Sequence, residues 1–153
     1  MSLKQQLFED MKSSIKSGDK HTLGVVRLAI AAIKQAEIDR RECGERTDLD
    51  DQSVIVVLTK MVKQRLDSVE QYQRAGRSDL ALVEQEEIKV IERYLPARLD
   101  DEQVQLAIQA AIVASSAHGP ADMGKVMSLL KSSLSGQVDM GKVSVRVKEA
   151  LSR

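Results

Sequence analysis

Apolar residues along this chain recur every three or four positions and nowhere alternate, so the pattern predicts helices throughout and no strands. Seven helices are expected. The first covers Leu3–Ser17, with Leu3, Leu7, Phe8, Met11 and Ile15 on one face; Gly18 suits its end and Asp19 the next N-cap. The second runs about Lys20–Glu42 and stops at Gly44. Asp48 or Asp50 opens the third, which continues to Ala75 before Gly76. Ser78 is expected to cap the fourth, which ends near Leu95 because Pro96 cannot continue it. Asp100 and Gln103 form a capping-box-like start to the fifth, which runs to about Ala117 and is broken by His118-Gly119-Pro120. The sixth (Asp122–Leu134) and seventh (Asp139–Leu151) follow, separated by Ser135-Gly136.

This pattern predicts an all-α protein: a four-helix N-terminal bundle (residues 1–95), a linker at 96–99, and a smaller three-helix C-terminal domain (residues 100–153). A unit as short as the second buries little surface, so it is expected to lean on the first or on a partner.

Several charges fall on apolar faces. At 100° per residue, Glu84 and Glu87 lie within the arc of Leu80, Val83, Ile88, Val90, Ile91, Tyr94 and Leu95. Arg65 lies among Val54, Val57, Leu58, Met61, Val62 and Val69, and Arg27 is the only charge in Leu23–Ile33. Burying an ion without a counter-ion costs several kcal/mol. Arg27 and Arg65 are therefore expected to pair with Glu84 and Glu87 between the second, third and fourth helices. A catalytic or metal-binding carboxylate pair is the alternative. Di-metal bundles need further inward carboxylates and histidines, and His21 and His118 lie far apart without ligand spacing, so no metal and no cofactor are expected.

The composition, 42% apolar and 30% charged, is that of a globular chain. No apolar run is long enough to span a membrane, and the polar start, Met1-Ser2-Leu3-Lys4, is not that of a signal peptide. The single Cys43 fits a reducing compartment, and a cytoplasmic location is expected. Charge balances at 23 against 23, but residues 118–153 hold six basic and three acidic side chains. That bias is mild for a self-sufficient nucleic-acid binder. With only Phe8, Tyr72 and Tyr94 as aromatics, a stacking platform for single-stranded bases is not available.

Cys43 has no histidine nearby to activate it as a nucleophile. Gly124-Lys125 and Gly141-Lys142 lack the remaining residues of a phosphate-binding loop. Asp122-Met123-Gly124-Lys125-Val126 returns 17 positions later as Asp139-Met140-Gly141-Lys142-Val143, which predicts two helices that begin alike. Two readings stand. In one, Asp caps, Gly lets helix ends pack closely and Met and Val fill the core. In the other, helix N-termini with their lysines attract phosphate.

The chain resembles the YqeY-like family, related to the tail domain of the GatB subunit of glutamine-dependent tRNA amidotransferases. The resemblance rests on Arg27-Leu28-Ala29-Ile30-Ala31-Ala32-Ile33-Lys34, Lys63-Gln64-Arg65, Tyr72-Gln73-Arg74-Ala75-Gly76-Arg77 and Glu84-x-x-Glu87-Ile88. It continues through Tyr94-Leu95-Pro96, both copies of the echo, Gly136-Gln137-Val138-Asp139 and Val147-Lys148-x-x-Leu151. It implies a helical bundle with a three-helix tail of the kind that contacts tRNA. It also implies a link to carbon–nitrogen ligation with glutamine as nitrogen donor, whose catalytic domains this sequence does not carry. The expectation is an accessory tRNA-interacting protein without its own active site, partnered by tRNA and a protein of the tRNA aminoacylation or amidation machinery, with no DNA or membrane partner. Lys125, Lys131, Lys142, Arg146 and Lys148 would make the phosphate contacts. The rival expectations are a protein-interaction module without RNA binding, using Met123, Met127 and Met140, and an enzyme using Glu84 and Glu87.

Overall fold

A computed structural model describes residues 1–44, 48–134 and 137–152, and among these it forms seven α-helices and no strand. They are α1 (Leu3–Ser17), α2 (Lys20–Glu42), α3 (Asp51–Arg74), α4 (Ser78–Glu92), α5 (Asp101–Ser115), α6 (Met123–Leu134) and α7 (Met140–Leu151), with a 3₁₀ turn at Pro120–Asp122. The chain divides into two compact units, Met1–Leu95 and Pro96–Arg153.

Local chemistry sets most boundaries in the first unit. Ser2 and Gln5 close a capping box on α1, and Gly18 ends that helix at φ 74°, a left-handed turn that costs glycine little. Asp19 takes the Thr22 amide (3.1 Å) and Asp50, not Asp48, takes the Ser53 amide (2.9 Å) to open α2 and α3. Ser78 does not cap α4. It is the first helical residue, and the N-cap, Arg77, makes no side-chain cap bond. The α-helix also stops at Glu92, earlier than expected. The amides of Arg93, Tyr94 and Leu95 reach back only three residues, a tightened turn that leads into Pro96.

The core of this unit gathers Leu7, Val26, Ile33, Val54, Leu58 and Ile91, each almost wholly buried. α1 packs on α2, and α4 packs chiefly on α3. Two expected core positions are exposed: Ile15 (53%) and Val83 (53%). Ser14 is buried in α1 instead, and Val83 sits at the edge of its arc near the start of α4.

In the second unit Asp100 and Gln103 form the expected capping box. α5 ends at Ser115, with Ser116 left-handed at φ 54°. Val104, Ile108 and Ala111 from α5 meet Val126, Leu130 and Leu134 from α6 and Val143, Val147 and Leu151 from α7. The Leu99 amide donates to the Gln137 carbonyl (3.1 Å), which ties the start of this unit to the entry of α7. The expected Ser135-Gly136 break lies outside the described residues, as do Glu45, Arg46 and Arg153.

Candidate functional site

The inward charges of the first unit form half of the expected network. Arg65 Nε donates to Glu87 Oε2 at 3.0 Å, and its Nη1 to the Met61 carbonyl at 3.3 Å. The two side chains are 13% and 24% exposed, so this pair sits largely out of water. Arg27 does not join it. It stands exposed on the outer side of α2, because Leu23–Ile33 is apolar on both sides and only one side is covered; Leu28 is 49% exposed. Glu84 is half-buried and has no ion-pair partner among the described residues. With a guanidinium against Glu87, Glu84 and Glu87 do not present a paired anionic site. Among the described residues no three His, Cys, Asp or Glu side chains converge as metal ligands.

A second inward ion pair was not legible from the helical wheel. Lys4 Nζ on α1 reaches Glu37 Oε1 on α2 at 2.5 Å, and the Leu49 amide donates to the same oxygen at 3.3 Å. Burial pushes the Glu37 carboxyl up, but Lys4, the Leu49 amide and Lys34 together outweigh it and hold the group below its ordinary range. At the other end of the α1–α2 pair, beside the turn at Gly18, an open polar pocket of about 250 Å³ is lined by Ser13, Ser14, Ser17, Thr22, Asp19 and Arg93 and by Asp10 and Tyr94. Tyr94 Oη donates to Asp10 Oδ2, and burial together with that carboxylate raises the phenol above its ordinary value. These partners are 84 residues apart, and no sequence pattern announces them.

In the second unit the echo extends well beyond five residues. α6 and α7 are each 12 residues long, and the 17-residue offset superposes Met123 on Met140, Lys125 on Lys142 and Val126 on Val143. It also superposes Leu130 on Val147, Lys131 on Lys148 and Leu134 on Leu151. The matched Val and Leu positions are buried in both helices, the matched methionines are half-buried, and the matched lysines are exposed in both. Within each helix the two lysines stand six positions apart, about 120° around the axis, and both lie on the side turned away from the buried stripe.

The two helices do not begin alike. Asp139 caps α7 through the Gly141 amide (2.9 Å). Asp122 instead closes the 3₁₀ turn, where its carboxylate accepts the His118 amide (3.0 Å), and that bond and Lys125 hold it below its ordinary range. The glycines do not serve helix–helix contact: a Cβ on Gly124 would meet nothing within 4 Å, and one on Gly141 would meet only the Asp139 carboxylate, at 3.2 Å. With the Gly141 amide taken by a carboxylate, the start of α7 is a poor phosphate cradle, which leaves any phosphate contact to the lysine heads.

Lys131, Lys142 and Lys148 make no ion pair among the described residues, and Lys125 lies 3.7 Å from Asp122. Arg146 differs from these. Its guanidinium donates to the Asp101 carbonyl (3.1 Å) and to Gln105 Oε1 (2.9 Å), clasping α7 to α5. Met123, Met127 and Met140 are half-buried against the core of the unit rather than displayed beside an open apolar surface. Cys43 is exposed at the end of α2.

The model of the family described as Yqey-like protein matches residues 4–151. Among curated relatives, the chain is 35% identical over 131 residues to "Altered inheritance of mitochondria protein 41, mitochondrial" of Meyerozyma guilliermondii, covering 81% of this chain and 64% of that protein. The proteins of the same name from Clavispora lusitaniae (34% over 96 residues, 61% of this chain and 53% of theirs) and Vanderwaltozyma polyspora (32% over 89 residues, 58% and 46%) are also similar. The chain therefore spans about half to two thirds of the length of these relatives. Their names overturn the expectation of a cytoplasmic location, since they are mitochondrial proteins. A lone cysteine indicates only that no internal disulfide forms, and that does not single out one compartment.

Proposed function

The chain belongs to the YqeY-like family, and from that premise we propose that it is an accessory protein without catalysis of its own, which grips tRNA through the lysines of α6 and α7. In this reading it is related to the amidotransferases that convert mischarged tRNA with glutamine as amido donor, and the catalysis resides in a protein partner. The two units act as separate domains: a four-helix N-terminal bundle, and a three-helix C-terminal domain that carries the RNA surface.

The observation that carries this reading is the duplicated helix. Lys125 and Lys142 occupy one position of it and Lys131 and Lys148 another, all exposed. A repeat kept for packing alone would need only its apolar positions; here the solvent-facing lysines repeat as well. Arg146 adds little to such a surface while it holds α5. Four phosphate contacts predict a salt slope of about −3 to −4, at roughly 0.7–0.9 per phosphate. Without net charge or stacking rings, affinity should be weak, on the order of 10⁻⁴–10⁻⁶ M.

Filter binding of tRNA at two salt concentrations tests this. The expected result is salt-dependent binding whose slope falls by about 2 when Lys125 and Lys142 are both changed to Ala. Binding indifferent to salt, or a slope unmoved by the double substitution, would reject the proposal.

A further inference from the structure

The outer face of α2 carries a register that the first unit does not use. Gly24, Leu28, Ala31, Gln35 and Ile38 are spaced alternately four and three residues apart, the a/d spacing of a coiled-coil seam. All are exposed, Leu28 at 49% and Ile38 at 48%. The residues α2 buries, among them Val26, Ala29 and Ile33, lie on its other side. The helix thus has a second face, with Leu28 and Ile38 as its large apolar side chains, that its own unit does not cover.

Beside the outer seam Lys20, Arg27, Lys34 and Arg41 recur every seven residues, and all four are exposed. With Leu28 and Gln35 at a, these are g positions, the sites that choose a coiled-coil partner by charge. Seven residues advance a helix by about 10.5 Å and turn it back by only about 20°. The cations therefore form a nearly straight row about 30 Å long. None of them makes an ion pair among the described residues.

We propose that this face docks an amphipathic helix of another protein, apolar at heptad spacing and acidic at the positions opposite the α2 cations. Charge excludes a second copy of this chain as the occupant. Set antiparallel, cation row would face cation row; set parallel, the row would face Val25, Ala32 and Asp39, which offer one carboxylate. Gly24 and Ala31 are small and let a partner backbone approach, while Leu28 and Ile38 supply apolar contact that a phosphate backbone would leave unused. The proposal is independent of the RNA reading, which concerns the second unit.

The test uses the full chain and two synthetic helical peptides of four heptads, with Leu at a and d and either Glu or Lys at both e and g. Fluorescence anisotropy should show the glutamate peptide binding at least about tenfold more tightly than the lysine peptide. The variant R27E/K34E, altered only at exposed positions, should reverse that preference, a result that a merely unfolded variant cannot give. Leu28→Ser with Ile38→Ser should weaken the glutamate peptide while its melting curve stays unchanged. Equal binding of both peptides, or loss of binding without reversal, would overturn the proposal. So would tRNA binding that R27E/K34E abolishes in a chain that ignores the glutamate peptide.

Discussion

Arg65 is the residue whose removal most directly tests how the first unit handles buried charge. Truncation to Ala would strand Glu87, which is 24% exposed, and would free the Met61 carbonyl. An exposed pair contributes about 0–1 kcal/mol, and breaking a fully buried one costs about 3–5 kcal/mol. At 13% and 24% exposure this pair lies between those limits, so Arg65→Ala should cost about 2–3 kcal/mol. Glu84 provides the internal control, since it shares the arc with Glu87 but has no ion-pair partner among the described residues. Urea unfolding of Arg65→Ala, Glu87→Ala and the double variant gives the coupling directly, expected at about 1–2 kcal/mol. The cycle with Glu84→Ala should give a coupling below about 0.5 kcal/mol. If Arg65 coupled to Glu84 as strongly as to Glu87, the geometry described above would be wrong.

Glu37→Gln should flatten the acid limb of the stability curve. A carboxyl held low by Lys4 and Leu49 stabilises the fold above the ordinary glutamate value near 4.5 and loses that contribution as pH falls through its lower folded value, so wild type should lose more than the variant on acidification, read by thermal melts across that window. Asp100→Ala removes the side-chain acceptor of the Gln103 amide in the capping box and should cost about 1 kcal/mol in urea titrations. Arg146→Ala should cost about 1–2 kcal/mol by the same measurement yet leave the salt slope of tRNA binding unmoved, the reverse of Lys148→Ala.

Helix positions were largely legible because capping and apolar period are local: Ser2-x-x-Gln5 and Asp100-x-x-Gln103 announce their helices directly. What the sequence hid depends on which side of a helix is covered. α2 carries apolar residues on two sides, so its local pattern cannot say which side faces α1 and α4, and Arg27 falls on the side that is left uncovered. Lys4–Glu37 and Tyr94–Asp10 join distant elements and leave no periodic trace. The lysine repeat was legible from its first five residues. Its continuation through Lys131 and Lys148 could have been read from the same 17-residue offset, whereas the commitment of Arg146 to α5 could not.

That commitment has a consequence for how the C-terminal segment finds its own arrangement. Two helices with matching length and matching inner residues are near-interchangeable, and a chain holding both can seat either in the place of the other. At the place where α7 carries Arg146, α6 carries Leu129, a side chain 42% exposed that cannot reach polar atoms. Only α7 can satisfy the Asp101 carbonyl and Gln105 together, so a single guanidinium tells one twin from the other.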